Sequence, residues 1–377
     1  MSFRLVLRLQ TGYSVNFFLN SVQKPRFIYC NAKINIALQR GEYMNLDFNP
    51  KENITNLDKA MASSITINDK INGLLVIKSI VKNWPDVLSF RLGLKEANFT
   101  MELRNGLKVK IRKPEDYFGF WNTKDGQMAL LKQNGLAPKI ETNIDKYKRL
   151  IKFNFMHKPI FLVYNSNRQL VNTIALIREQ FIEEQYEWLD VRGKEVVDIG
   201  ANIGDTALLF ALKRAKHVYA FEPYPYSYKL ALKNIKLNKL QGKITLLNEG
   251  CTGKESSINI NAHYQNTGGT DLKKFDSGKK IKLTTLSDII KRFNIRYPAI
   301  LKIDCEGCEY GILLKAKDPD LRTFEQIQIE YHYGYLNLKN KLESAGFHVN
   351  KTTPKYTLNQ EAENKEMLVG YIYAERI

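Results

Sequence analysis

Residues 195–205 of this 377-residue chain read Glu-Val-Val-Asp-Ile-Gly-Ala-Asn-Ile-Gly-Asp, and this stretch decides the fold. A short β-branched run is followed by two glycines, Gly200 and Gly204, and then by the apolar run 206–213, which favours a helix. A strand, a glycine turn and a helix bring the backbone close to a nucleotide-like ligand, because glycine has no Cβ to block the approach. The N-terminus of the helix adds a partial positive charge. The stretch therefore predicts a cofactor cleft.

The spacing of the glycines distinguishes between two kinds of cofactor. A dinucleotide site needs Gly-x-Gly-x-x-Gly, but Asn202 stands where the central glycine would lie under a pyrophosphate. S-adenosylmethionine has no phosphate, its ammonium group suits Asp198, and its ribose suits Glu222 at the end of the next predicted strand. An ordinary glycine-bearing turn is the alternative. We predict S-adenosylmethionine, bound by Asp198, Gly200, Ala201, Asn202, Gly204, Glu222, Pro223 and Asn248.

Composition and charge limit the classes of function. Hydrophobic residues make up 44% of the chain and charged residues 25%, as in a globular protein. The net charge of +18 would suit nucleic acid, but the lysines are scattered rather than grouped in blocks. We interpret this net positive charge mainly as surface charge. The next alternative is that it attracts an anionic substrate. Since no apolar stretch is long enough to span a membrane and no secretory signal begins the chain, we expect a cytoplasmic protein without a specific nucleic-acid partner.

Periodicity and composition divide the chain into three parts. Residues 1–70 have the composition of a poorly ordered tail and linker. Residues 71–185 combine helical periodicity with alternating runs around a turn signal, Arg-Asn105-Gly106, and predict a small α+β cap. Residues 186–377 alternate strands with helices and predict the main α/β domain. Within that domain, the polar stretch 252–280 predicts a loop, either close to the substrate or simply at the surface.

A second informative stretch, residues 299–309, reads Ala-Ile-Leu-Lys-Ile-Asp-Cys-Glu-Gly-Cys-Glu. Its predicted strand runs into Asp304 and Glu306, and the next strand along the chain is followed by His332. Ligands of a doubly wound sheet gather at the carboxyl ends of the strands, so Asp304 should face the cleft above Gly200. These side chains could form a metal site, a general-base site or a set of helix-capping acids.

The four cysteines, Cys30, Cys251, Cys305 and Cys308, do not predict a disulfide framework in a chain of this length. The Cys305-x-x-Cys308 pair has no second pair of ligands to complete a zinc site. Acids on both sides would raise the thiol pKa values and oppose redox activity. We therefore predict that Cys305 and Cys308 are small packing residues.

Four motifs in a fixed order carry a resemblance to a known family, and they are Val197–Asp205, Phe221–Pro223, Leu301–Glu309 and Ile329–His332. Over about residues 190–350 the chain resembles the FkbM-type family of S-adenosylmethionine-dependent methyltransferases. The resemblance implies a class I, Rossmann-like methyltransferase domain at 186–377, with a seven-stranded sheet in the order 3-2-1-4-5-7-6, mostly parallel with one antiparallel strand. It also implies methyl transfer to oxygen, typically to a hydroxyl of a small molecule or glycan.

The resemblance places Asp304, Glu306 and His332 on the substrate side as catalytic residues. His332, or an acid near it, could remove the hydroxyl proton as a general base. A divalent metal on Asp304 and Glu306 could instead lower the pKa of the hydroxyl. We prefer His332 acting without a metal. A nucleic-acid methyltransferase, an RNA-binding protein and a binding module that only kept the fold are the alternatives, although acids at the mouth would repel phosphates.

Overall fold

The computed structural model describes seven parts of the chain, namely residues 4–8, 14–18, 75–133, 139–141, 149–260, 278–358 and 366–376. The chain divides into two units, residues 1–46 and residues 47–377. In the first unit, β1 (Arg4–Arg8) pairs antiparallel with β2 (Ser14–Phe18). This hairpin lies within the part predicted as tail and linker.

The second unit begins with a small α+β region. Its elements, in chain order, are a helical segment at 75–80, α1 (Trp84–Arg91), β3 (Phe99–Glu102), β4 (Lys108–Ile111), α2 (Pro114–Trp121) and α3 (Lys124–Gln133). The predicted turn joins β3 to β4, because Asn105 accepts a hydrogen bond from the backbone of Leu107 at 3.0 Å and Gly106 has a φ of +90°. The hairpin buries Met101 and Ile111 in a core of its own.

A three-stranded antiparallel sheet and a long helix lead to the main domain. They are β5 (Lys139–Glu141), β6 (Leu150–Phe155), β7 (Lys158–Val163) and α4 (Asn167–Phe181). The hydroxyl of Ser166 caps α4 by accepting a hydrogen bond from the backbone of Gln169. The apolar face of α4 buries Ile174 and Ile177 in a cluster shared with the main sheet. One end of α4 thus reaches the edge of the main domain.

An eight-stranded mixed sheet forms the centre of the main domain. Its strands are β8 (Glu195–Ile199), β9 (His217–Phe221), β10 (Ile244–Leu247), β14 (Ala299–Ile303), β15 (Phe324–Tyr331), β16 (Phe347–Lys351), β17 (Lys355–Leu358) and β18 (Glu366–Arg376). They lie in the order β10-β9-β8-β14-β15-β18-β16, and β17 also pairs with β18. Strand β18 runs antiparallel to its three neighbours, β15, β16 and β17. The mixed α/β sheet is as predicted, but it has eight strands rather than seven because β17 adds to β18.

Helices cover both faces of this sheet. They are α5 (Asp205–Leu212), α6 (Pro225–Leu237), α7 (Leu286–Phe293), α8 (Cys308–Lys315), α9 (Asp318–Leu321) and α10 (Leu336–Ser344). Alternate residues of a strand face opposite sides of the sheet. Accordingly, Val196 and Ile300 join a cluster with α4 and α5, whereas Val197 and Leu301 join a second cluster with α7, α8 and α10. The central strands are therefore buried on both sides.

A small second sheet corrects the prediction for residues 252–280. It consists of β11 (Gly250–Cys251), β12 (Ser256–Ile260) and β13 (Lys279–Thr284), with β12 antiparallel to β13. The stretch predicted as a loop thus contains strand β12. This strand is held against β13 because Ile260 packs with Ile281 in a small apolar cluster. Residues 261–277 lie outside the described residues. Within the described part of the chain, no helix is long and apolar enough to cross a membrane.

Candidate active site

A cavity of about 630 Å³ opens at the carboxyl ends of β8, β9, β14 and β15. Here β14 lies parallel to β8, with β9 on the other side of β8, so the chain changes direction across the sheet at this point. Six of the predicted site residues line the cavity, namely Gly200, Asn202, Glu222, Pro223, Asp304 and Glu306. Five are not among its lining residues, namely Asp198, Ala201, Gly204, Asn248 and His332. The sequence therefore located the cavity, but not every residue of its wall.

The turn after β8 requires glycine. Gly200 has a φ of +82°, and a Cβ at this position would lie 1.8 Å from the backbone oxygen of Asp304. The backbone N–H groups of Gly200 and Ala201 both donate to the carbonyl of Phe221 at 3.0 Å, and the N–H of Asp304 donates to Ile199 at 3.1 Å. The ends of β8, β9 and β14 are therefore held together by backbone contacts that leave no room for a side chain.

Glu222 is held rigidly in the cavity wall. One carboxylate oxygen accepts a hydrogen bond from the backbone of Asn202 at 2.8 Å, and the other accepts one from the backbone of Tyr224 at 2.8 Å. Burial raises the pKa of Glu222 to about 8, although these two N–H groups oppose the rise. Asn248 supports the same loop, because its amide donates to the carbonyls of Glu222 and Pro223 at 2.9 Å. The carboxylate oxygens are thus oriented before any ligand arrives.

Asp198 does not occupy its predicted place in the cavity wall. Its carboxylate is fully buried, lies 3.1 Å from the ammonium group of Lys302 and accepts a hydrogen bond from Thr206 at 2.6 Å. Lys302 lies opposite Asp198 in the register of β14 and β8, and it also donates to the carbonyl of Gly200 at 2.8 Å. The structure thus pairs Asp198 with Lys302 beneath the glycine turn, and the predicted contact with a cofactor ammonium is not supported.

The loop after β14 carries the predicted catalytic acids, and His332 lies against it. The imidazole Nε2 is 3.1 Å from a carboxylate oxygen of Glu306, and Nδ1 is 2.8 Å from a carboxylate oxygen of Glu309. Burial lowers the pKa of His332, but the charges of Glu306 and Glu309 outweigh it and hold this pKa well above its usual range. Both ring nitrogens therefore face a carboxylate, and the raised pKa favours the protonated imidazole. This geometry does not support the prediction of a neutral His332 that accepts a substrate proton.

The two cysteines of this loop form a disulfide, so the prediction of two small packing residues was wrong. Cys305 and Cys308 lie with their Cα atoms 5.5 Å apart and their sulfur atoms are bonded. The turn between them is tight, because Glu306 has a φ of +58° and Gly307 a φ of +111°. Glu309, which is fully buried, accepts a hydrogen bond from the backbone of Gly307 at 2.9 Å. The disulfide therefore closes the loop that carries Glu306 into the cavity.

Sequence reasoning missed a second acidic region beside Asp304. Glu330, near the end of β15, lines the cavity and accepts a hydrogen bond from Gln185 at 3.3 Å. Burial, with repulsion from Asp304, raises the pKa of Glu330 to about 8. Burial also raises the pKa of Asp304, although Lys302, 3.9 Å away, opposes the rise. Gln185 and Glu330 are 145 positions apart, so no local pattern could have joined them.

Three of these side chains have the arrangement of a candidate metal site. One ligand atom each from Asp304, Glu306 and His332 lies within 4.8 Å of the others. Carboxylate oxygens and an imidazole nitrogen are common ligands of divalent metals. His332, however, already pairs both of its nitrogens with carboxylates. A metal would therefore have to displace the contact between His332 and Glu306.

Comparison with known protein families supports the resemblance that the sequence predicts. Residues 198–349 match the family model described as the methyltransferase FkbM domain. This range includes the glycine turn, Glu222 and the loop from Asp304 to Glu309. The resemblance to FkbM-type methyltransferases is therefore confirmed over these residues.

The names of individual relatives refer to different methyl acceptors. Hexuronic acid methyltransferase AglP of Haloferax volcanii is 24% identical over 170 residues, which cover 41% of this chain and 69% of that protein. Ribosomal protein L11 methyltransferase of Carboxydothermus hydrogenoformans is 42% identical over 55 residues, 15% of this chain and 18% of that protein. A SAM-dependent methyltransferase from Agrobacterium tumefaciens aligns structurally with a TM-score of 0.37 and 11% identity, over 60% of this chain and 70% of that one. That score is too low to carry an argument.

Proposed function

We propose that this protein is an S-adenosylmethionine-dependent O-methyltransferase and that its acceptor is a hydroxyl group of a sugar or another small molecule. The cavity wall formed by Gly200, Asn202 and Glu222 carries the proposal. A ribose offers two hydroxyl donors, and Glu222 presents a carboxylate already oriented by two backbone N–H groups. The left-handed turn at Gly200 packs against the backbone of Asp304 and thereby fixes the segment that carries Asn202 beside Glu222.

The residues present fit this cofactor better than a dinucleotide. The side-chain oxygen of Asn202 is buried and, within the described residues, has no hydrogen-bond partner, so it can accept a donor from a bound ligand. Glu222 and Asn202 offer oxygen atoms to this part of the cavity, and oxygen acceptors disfavour a pyrophosphate. When bound, S-adenosylmethionine supplies an electrophilic methyl group. The remaining task of the protein is to hold the acceptor oxygen in line and to take its proton.

We propose Glu306 as the group that takes the proton. Glu306 lines the cavity, whereas His332 has both nitrogens engaged and no lone pair to offer. One oxygen of Glu306 is held by His332, and the carboxylate can accept a hydrogen bond from the acceptor hydroxyl. His332 is then a positioning residue that orients Glu306 and, with Glu309, fixes the loop. A divalent metal on Asp304 and Glu306 is the second route to the same reaction.

Acceptor choice is proposed to come from the helix that precedes the main domain. Helix α4 belongs to the predicted cap region 71–185, and it contributes Leu176, Glu179 and Gln180 to the cavity wall, while Glu183 follows the helix in the same region. A nucleic-acid acceptor, which the net charge of +18 would favour, is the competing function. The acids in this wall oppose it, because they would repel the phosphates. The predicted cytoplasmic location stays a prediction.

The test uses methyl-labelled S-adenosylmethionine and a cell extract, and mass spectrometry locates the labelled product. Label on a small hydroxyl compound is the expected result, and label on RNA would overturn the proposed acceptor. Glu306→Gln should lower turnover by about 10²- to 10⁴-fold without changing cofactor affinity. Glu343→Gln, which removes the same charge from α10 and does not line the cavity, is the matched control. If a chelator abolishes activity and Mg²⁺ restores it, the metal route replaces the direct role of Glu306.

A further inference from the structure

We propose that the acceptor carries a cationic group, such as an ammonium, beside the hydroxyl that is methylated, and that Glu330 binds this group. The inference rests on the proposed function, since it names the charge of the substrate at that same site. Three observations support it: the charge of the cavity wall, the missing counter-charge of Glu330 and a buried acceptor atom without a donor.

The wall of the cavity is strongly acidic. Among the described residues, the carboxylates that line it are Glu179, Glu183, Glu222, Asp304, Glu306 and Glu330. Lys355 is the one cationic side chain in the same part of the wall that the structure describes. An enclosed space lined by one sign of charge attracts ligands of the opposite sign. The cavity therefore disfavours an acceptor that carries a carboxylate or a phosphate.

Most of these acids already have a partner. Arg178 lies 3.4 Å from Glu179 and 3.2 Å from Glu183. On the opposite wall, Lys302 lies near Asp304 and His332 pairs with Glu306. Glu222 is assigned to the ribose of the cofactor.

Glu330 differs from these acids. In the described ranges no cationic side chain forms an ion pair with it, and its hydrogen-bond partners, the amide of Gln185 and the hydroxyl of Tyr371, are both uncharged. Its carboxyl group lines the cavity, so a bound ligand can reach it. A cation bound at Glu330 would supply the missing counter-charge.

A chain of amides next to Glu330 points to the same kind of ligand. Gln185 donates to Glu330 and to Tyr371, and Gln180 donates to the side-chain oxygen of Gln185 at 3.4 Å. The other polar atom of Gln180, its side-chain oxygen, has no hydrogen-bond partner among the described residues. Gln180 is only 4% exposed and lines the cavity. A buried acceptor without a donor is costly, so a ligand with several donors is expected here.

An ammonium group meets both requirements. It carries three N–H donors and one positive charge, so it can serve Glu330 and Gln180 together. A neutral hydroxyl compound could satisfy Gln180 but would leave the carboxyl group of Glu330 without a cationic partner. An anionic acceptor would add repulsion from Glu330 and Asp304.

The test compares glucose with two sugars that each differ from it at one position: 2-amino-2-deoxyglucose, with an amine at C2, and glucuronic acid, with a carboxylate at C6. Each is titrated by calorimetry into the full-length protein saturated with S-adenosylhomocysteine. We expect the amino sugar to bind at least about tenfold more tightly than glucose, and glucuronic acid to bind most weakly.

Two variants decide whether Glu330 is responsible. Glu330→Gln should abolish the preference for the amino sugar while leaving S-adenosylhomocysteine affinity unchanged, and Glu343→Gln should keep the preference. Equal binding of the three sugars, no binding of any, or a preference that survives Glu330→Gln would overturn the proposal. So would tight binding of Mg²⁺ alone that is lost in Glu330→Gln. If the cofactor product itself fails to bind, the proposed function fails as well, and the two failures are thereby distinguished.

Discussion

The two sides of the cavity are built in different ways. The cofactor side, defined by Gly200, Asn202 and Glu222, is shaped by backbone: a left-handed glycine, a close approach to Asp304 and two N–H groups that orient one carboxylate. The acceptor side, defined by Asp304, Glu306 and Glu330, is shaped by charged side chains and by the cations beside some of them. The first side fixes where a ligand can lie, and the second fixes which charge it can carry.

Substitutions on the two sides of the cavity should therefore have different effects. A change on the cofactor side meets backbone atoms that cannot move, so steric effects should dominate. A change on the acceptor side leaves a buried charge without its partner, so electrostatic effects should dominate.

Gly200→Ala should have the largest effect. The added Cβ would lie 1.8 Å from the backbone oxygen of Asp304, and the φ of +82° would strain any other residue. We expect the free energy of unfolding to fall by more than about 4 kcal/mol, as in the most severe class of single substitutions. Chemical denaturation measures it. Gly242→Ala is the control, because nothing lies within 4 Å of a Cβ built there. A Gly200→Ala protein as stable as this control would contradict the steric account of the cofactor side.

Lys302→Met should have the next largest effect. The side chain of Lys302 is 1% exposed and lies between Asp198 and Asp304, and its loss leaves the fully buried Asp198 carboxylate without a counter-charge. We expect a loss of about 3–5 kcal/mol in the free energy of unfolding. Adding Asp198→Asn should restore part of that loss, because it removes the unpaired charge. Lys339→Met breaks an exposed pair with Glu343 and should cost less than about 1 kcal/mol. If the double variant is less stable than Lys302→Met, the electrostatic account is wrong.

The pH dependence of stability should reflect the raised acids. Glu222 and Glu330 have pKa values of about 8 in the folded protein and Asp205 about 7, all above their unfolded values. The folded state therefore binds more protons, so stability should fall as the pH rises from about 4 towards 8. His332 acts in the same direction above its ordinary range, because its folded pKa is also raised. Thermal unfolding of the cofactor-free protein across this range measures the fall.

A single substitution isolates one part of that slope. Glu222→Gln removes one titrating group, so the slope should become shallower by at most about 1.4 kcal/mol per pH unit. Glu343→Gln should leave the slope unchanged. A stability that rises with pH over this window would mean that these acids are not buried as the structure places them.

The cofactor side was largely predictable from the sequence. Glycines at a strand-to-helix turn and an acid at the end of the next strand are local patterns, and the turn, Asn202 and Glu222 line the cavity. The exception is Asp198, which lies in the same motif but pairs with Lys302. Its partner comes from a strand about a hundred residues later, although one signal was present: Lys302 is a lysine within an otherwise apolar strand.

The acceptor side was predictable only in part. The ends of β14 and β15 could be located from the sequence, since Asp304 directly follows Ile303 and Glu330 directly follows Ile329. The protonation state of His332 was not, because it depends on two carboxylates that only the fold places on either side of the ring. The same holds for the amide chain from Gln180 to Glu330, which joins α4 to β15. Long-range pairing of side chains leaves no periodic pattern in a sequence.

One titration tests the central claim most directly, namely that the glycine turn and Glu222 form a site for S-adenosylmethionine. Calorimetry should show binding of S-adenosylmethionine and no binding of NAD to the same protein. In Glu222→Ala, which removes the oriented carboxylate, binding should weaken by about 1–3 kcal/mol. Equal affinity of the parent protein and Glu222→Ala, or binding of NAD in place of S-adenosylmethionine, would contradict the account.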